Sequence, residues 1–435
     1  MFSSQRRTAA AIAILAGTTV LLAACSSAAS DTGAPGQQPS SGDATKAGAA
    51  SAAPSPSRPP LATVASPKKF GTSVPITLRA VDSNLAGDFT SRFLMVDDHA
   101  YGVTSYSLGE VDLATGATSW EADFPHADKS GDDAKLFYDG SGPGAPILSP
   151  DGNTVYAAVP VYIPGSGTTE GKAVVELMAA DAKTGKINWT ANMTVGSDAY
   201  TQNPNATVVS ADDRTVIVTQ ADSTGPGITA AFDITSHHAI WKTKHTALAV
   251  ANGSVLVSGS SSNGPQIGGL DVATGKRLWF GHSSDSAAEV SSTVQTADGR
   301  LLATITPFSG DDPYVETLDP KTGKASKLSK IAAGQLSEAG DDLLDQTESG
   351  GIQIVDPGTM KPLWHLPQGD RGSLTEALAF GGLVYGRDDH GTSVILDQRT
   401  GKDATGDIPG IFVAVNQHGA IMIKDKNVVF ARAIV

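Results

Sequence analysis

The sequence predicts an all-β fold: an eight-bladed β-propeller of four-stranded antiparallel blades, with the ring closed by the N-terminal strand and seven blades as the alternative. Three observations predict it. One turn motif recurs seven times, a second turn series alternates with it, and all five tryptophans of the chain sit at a single offset within the first motif.

The first series starts at Asp112, Asp181, Asp233, Asp271, Asp319, Asp356 and Asp397. Three residues after each comes a hydroxyl, as in Thr115, Thr184, Ser236 and Thr274. The next position is glycine in Gly116, Gly185, Gly275, Gly323 and Gly401, with His237 and Met360 as the exceptions. Eight residues after the aspartate stands Trp120, Trp189, Trp241, Trp279 or Trp364. Short polar side chains bond to nearby backbone and favour turns, and glycine takes the positive-φ position. Apolar runs such as Val394-Ile395-Leu396 precede the aspartate. Each unit is therefore a β-hairpin carrying a repeated packing residue.

The second series lies at Asp97-Asp98, Asp151-Gly152, Asp212-Asp213, Asn252-Gly253, Asp298-Gly299, Asp341-Asp342, Gly381-Gly382 and His418-Gly419. Strict alternation of the two series makes each repeat two hairpins, or four strands. The eighth repeat supplies strands near 411–415, 420–423 and 427–433, and the missing fourth is expected at 75–81, which removes a sheet edge. Eight blades over residues 75–435 means about 45 residues each, the usual propeller period.

Composition agrees with such a fold. Of 435 residues, 17% are charged and 47 are glycine, which suits short strands and tight turns. The net charge of −14 argues against nucleic acid as a partner, because duplex binding needs a basic face.

Residues 1–24 read as a signal peptide, with Arg6 and Arg7 ahead of an apolar stretch from Ala9 to Leu22. The stretch ends Leu22-Ala23-Ala24-Cys25, which resembles the bacterial lipobox, and Cys25 is the one cysteine of the chain. Lipidation at Cys25 is expected, and with it attachment to the extracytoplasmic face of the cell membrane. A lone cysteine excludes an intramolecular disulfide. Residues 25–74 are rich in Ser, Ala and Pro and are expected to form a disordered tether, with the propeller running from 75 to 435.

The Asp-x-x-Thr-Gly-Lys-x-x-Trp pattern resembles the tryptophan-docking motif of propellers of the pyrroloquinoline-quinone (PQQ) type, and it recurs over nearly all of residues 92–435. That family includes PQQ-dependent alcohol dehydrogenases and the propeller lipoprotein of the outer-membrane protein assembly machine, which binds partners without a cofactor. The resemblance implies that the tryptophans pack between neighbouring blades. It also implies a Ca²⁺ site, a catalytic aspartate and usually a disulfide in the enzymes. No residue here matches those ligands, and a second cysteine is missing. No Gly-x-Ser-x-Gly or His-Glu-x-x-His occurs. No cofactor, no metal and no catalysis are therefore expected, and the alternative is an enzyme with an unrecognised site or a degenerate PQQ-dependent dehydrogenase.

Strands alternate direction, so both turn series fall on one face of the ring, and the longer, varied connections fall on the other. Such loops usually carry recognition. Candidate binding residues there are Phe137, Tyr138 and Tyr162 of blade 2, then Tyr200, Phe308, Tyr314, Arg371 and Arg387. Aromatic and arginine side chains anchor interfaces most often. The expected partner is a protein or an envelope glycan.

Overall fold

A computed structural model describes residues 66–76, 93–127, 142–195, 205–221, 227–261, 264–281, 288–296, 299–307, 312–329, 334–346, 351–366, 374–388, 392–408, 410–424 and 427–434. All its regular elements are strands, arranged in eight antiparallel sheets that follow one another along the chain. Blades 1 to 7 span 93–123, 147–194, 205–243, 246–280, 288–329, 335–366 and 375–408. Blade 8 combines Ile411–Asn416, Gly419–Lys424 and Asn427–Ala433 with the strand Phe70–Pro75. The eight-bladed reading holds and the seven-bladed alternative falls.

The two turn series meet on one face. In blade 1 the amide of Leu113, next to the Asp112 turn, donates to Asp98 O at 2.9 Å. The same bond recurs as Ala182 to Asn153, Ile234 to Arg214, Val272 to Gly253 and Gln398 to Gly382. Within the first series the aspartate caps its own turn: Asp181 accepts from the Thr184 amide and hydroxyl at 2.8 and 2.7 Å. These bonds favour the carboxylate form, and the hydroxyl bond from Thr184 is the main reason the Asp181 pKa lies below its ordinary value.

Packing is organised by seam. Among the described residues, eight clusters of buried apolar residues occur, and each draws on two neighbouring blades. One of them joins Phe430 and Ile421 of blade 8 to Phe93 and Leu113 of blade 1, so the ring is continuous. Strand alternation explains the sharing, since successive side chains point to opposite faces of a sheet and each face meets a different neighbour.

Two features depart from the sequence expectation. The closing strand is Phe70–Pro75 rather than 75–81, pairing Val74 with Phe430 and Pro75 with Val429. Pro75 ends the strand instead of starting it. The strand is an outer one, where a missing N–H is tolerated. In this register the Phe70 ring packs 5.5 Å from Phe412 and 6.4 Å from Tyr385. Of the expected strand, only Pro75 and Ile76 are in the described residues, and the Ile76 amide donates to Val428 O. The second departure is in blade 3, which has five strands. Gly142–Pro143 pairs in parallel with Asn205 and Ala206, on the free side of that blade's first strand.

Candidate functional site

Five tryptophans hold five of the eight seams. Each stands on the fourth strand of its blade and reaches to the Asp-Thr-Gly turn of the next. The indole N–H of Trp120 donates to Ala182 O at 3.0 Å, that of Trp241 to Val272 O at 2.8 Å, and that of Trp279 to Pro320 O at 2.8 Å. Trp364 donates to Gln398 O. In every case the acceptor is the residue that follows the motif aspartate of the next blade, Asp181, Asp271, Asp319 or Asp397.

The motif glycine exists for the neighbour's tryptophan as much as for its own turn. A Cβ on Gly185 would lie 2.4 Å from the Trp120 ring, on Gly275 2.6 Å from Trp241, on Gly323 2.6 Å from Trp279, and on Gly401 2.8 Å from Trp364. The exceptions follow from the same contact. His237 stands at φ 60° in the turn that receives Trp189, and its ring stacks on the indole at 4.9 Å and 13°. Met360 stands at φ 53° in the turn next to blade 5, where Lys327 occupies the tryptophan position. With no indole to receive, that turn carries a buried methionine. Trp120 is buried, while Trp189, Trp241, Trp279 and Trp364 are half-buried. The motif aspartates Asp112, Asp181, Asp233, Asp271 and Asp356 all accept from the backbone of their own turns, so they serve conformation.

The opposite face is irregular. In blade 2 the strands Thr154–Ile163 and Lys172–Asp181 are ten residues each and pair throughout. They rise to a tip with a Ser166 to Thr169 bridge and Gly167 at φ 62°. Residues 164–170 are exposed, and Tyr162 below them is 42% exposed. Its hydroxyl lies over Gly171, where a Cβ would come within 2.1 Å.

The connection from blade 1 to blade 2 is fastened at both ends. Fully buried Glu176 accepts from the His126 amide at 3.1 Å and meets His126 Nδ1 at 2.8 Å. At the far end the Gly142 amide donates to Asn205 Oδ1 at 2.9 Å, beside the parallel pairing. These residues escape sequence reasoning, because a His-Glu pair fifty positions apart has no spacing signal.

Among the other candidates, Arg387 ends the strand Leu383–Arg387 on this face, half-buried, with a buried Nε that has no hydrogen-bond partner. Tyr314 is a correction: it is 3% exposed, inside the blade 4–5 cluster, and Lys327 Nζ sits 3.6 Å from its ring centre. It opens a strand whose inward side packs, so its aromatic ring serves the core. Phe137, Tyr138, Tyr200, Phe308 and Arg371 lie outside the described residues, as does Cys25. Among the described residues no group of three metal-ligating side chains converges.

Two solved structures agree with the ring. BamB from Moraxella catarrhalis superposes with a TM-score of 0.53 and 16% identity, over 84% of this chain and 99% of that one. The computationally designed Ika8 protein superposes with a TM-score of 0.53 and 12% identity, over 80% and 98%. A europium-containing methanol dehydrogenase gives 0.46 and 13%, over 83% and 84%. No curated protein sequence matches. The family model described as outer membrane protein assembly factor BamB matches residues 171–405, more than half of the chain. The chain is therefore a PQQ-like β-propeller and belongs to the BamB family.

Proposed function

We propose that this chain is a lipid-anchored binding scaffold on the extracytoplasmic face of the cell membrane, without catalytic activity. Membership of a family described as an assembly factor supports a role in holding other polypeptides. The Leu22-Ala23-Ala24-Cys25 segment supports the anchor.

The observation that carries the binding reading is the long hairpin of blade 2. It adds exposed, turn-rich surface to a rigid ring, on the face that the repeat turns leave free. Uniform short turns offer nothing distinctive to a partner, whereas a projecting hairpin beside an aromatic ring does. The partner is a polypeptide of envelope assembly, with an envelope glycan as the other outcome of the test. Crosslinking and capture from membranes tests it: Tyr162→Ala combined with replacement of residues 164–171 by a two-residue turn weakens capture and leaves thermal unfolding nearly unchanged. Capture at the wild-type level by that variant removes blade 2 from the interface. Anchoring is read separately, since Cys25→Ser releases the chain from membranes or leaves it unprocessed.

A further inference from the structure

The seam between blades 7 and 8 is built unlike the tryptophan seams. Blade 7 carries Thr405 at the tryptophan position, eight residues after Asp397. Blade 8 has no Asp-Thr-Gly turn, because its third and fourth strands come from opposite ends of the chain. Where that turn would be, the two ends meet: the Ile434 amide donates to Lys69 O at 2.9 Å.

The residues just before the closing strand complete the seam. Ser66 Oγ donates to Gly381 O in a blade 7 turn. Pro67 is buried, and its carbonyl accepts from the hydroxyl of Tyr385 at 3.0 Å. Tyr385 is fully buried in blade 7, and its ring meets Phe412 of blade 8 edge-on at 5.0 Å. Phe70 then packs on both rings. A short N-terminal peptide thus does at this seam what a tryptophan and a turn do elsewhere.

We propose that Ser66–Ile76 is a mechanical latch, the first contact to release when the N-terminal segment is pulled, so that tension opens blade 8 while the tryptophan seams stay closed. The closing strand is an outer strand with hydrogen bonds to a single neighbour, Asn427–Ala433, and everything N-terminal of the ring connects through it. A tryptophan seam joins two blades whose strands each come from one continuous stretch of chain, apart from the added Gly142–Pro143 strand of blade 3. Release of one edge strand is a local opening of the kind that precedes global unfolding. It bares the edge of Asn427–Ala433 together with Tyr385 and Phe412, a surface that a further strand can join. The idea rests on the anchored reading, because only a chain held from its N-terminal side passes tension through this segment.

Optical-tweezers pulling on the full chain, produced without export so that the Cys25 thiol stays free, tests it, with handles on Cys25 and on Ser166→Cys at the exposed blade 2 tip. The expected first step releases Ser66–Ile76 and brings the chain up to Phe93 under load, a contour of roughly 90 Å at about 3.4 Å per residue, well before the propeller unfolds. Tyr385→Phe keeps the ring packing and removes the bond to Pro67, so it raises the zero-load rate of the first step about two- to tenfold, the factor one neutral hydrogen bond carries, and leaves later steps unchanged. Ser66→Ala acts in the same direction. A first step that takes the whole propeller, or a first step insensitive to both substitutions, overturns the latch. The measurement needs no membrane, so its failure is distinct from failure of the anchor, which fractionation of Cys25→Ser reads.

Discussion

The seam between blades 4 and 5 and the seam between blades 5 and 6 are neighbours built on the same motif, and they solve the same problem differently. At the first, Trp279 lies over Gly323 and donates to Pro320 O. At the second, Lys327 takes the tryptophan position and turns back over Tyr314 of its own blade, and the receiving turn carries Met360. The missing tryptophan at 327 and the missing glycine at 360 thus face each other across one seam. At this seam no indole crowds the turn, and a side chain with a Cβ stands where the tryptophan seams mostly carry glycine. The motif is therefore an interaction between successive repeats, and its tryptophan and glycine answer each other across a seam.

The largest expected effect is at the first seam. Trp279→Ala removes the ring and its bond to Pro320, and should cost about 3 kcal/mol, the low end for tryptophan truncation because the ring is half-buried. Urea unfolding measures it, and a loss below about 1 kcal/mol would make the indole peripheral. Gly323→Ala should come next. It puts a Cβ at φ 70° and against the Trp279 ring, with the left-handed conformation alone costing about 1–2 kcal/mol. In the Trp279→Ala background the penalty should fall to that conformational part, and a strictly additive double-mutant cycle would break the proposed pairing. At the second seam the sign of the glycine reverses. Met360→Gly relaxes a φ of 53° but empties a buried site, and should destabilise by about 1–2 kcal/mol. Stabilisation there would show that the methionine is tolerated strain rather than filling.

This comparison also marks what was legible in the sequence. The turn chemistry lies within each repeat, so the blade count, the alternation of turns and the single tryptophan offset could be read from spacing. Seam contacts join different repeats, and spacing carries no record of them. His237 and Met360 read as defects until the neighbour's residue is seen. The closing strand was misplaced for a related reason. Ile76-Thr77-Leu78 alternates like a strand, whereas Phe70-Gly71-Thr72-Ser73 does not, yet the strand that pairs is the one that sets Phe70 against Tyr385 and Phe412. On the candidate binding face, Tyr162 could be found as an aromatic beside a glycine-rich tip. Tyr314 could not be told from it, because its burial comes from the cluster shared by blades 4 and 5, which spacing does not record.

The smallest expected effect separates the two seams by pH. The 5–6 seam contains a buried carboxyl: Asp345 lies on the same side of its strand as Leu343, which packs in that cluster, and is fully buried. Burial pushes its pKa above the ordinary carboxylate range, against opposing bonds from Gln353 Nε2 at 2.6 Å and the Gly334 amide at 3.1 Å. The folded state therefore holds this proton more tightly than the unfolded chain does. The contribution of Asp345 to stability is fully present below the unfolded pKa of about 3.9 and is lost as pH rises through the higher folded value. Asp345→Asn keeps the shape and removes the titration. Relative to the variant, the wild type should lose stability as pH climbs from about 4 towards neutrality, and the difference should level off once the folded group has ionised. Hydrogen exchange followed across that range should place the change at strands Gln335–Ala339 and Asp342–Gln346, with the Trp279 seam unaffected. A wild-type-minus-variant difference that is flat with pH would show that the fold leaves the Asp345 carboxyl unshifted, and one that grows in favour of the wild type would show that the fold prefers its ionised form; either outcome removes the raised pKa.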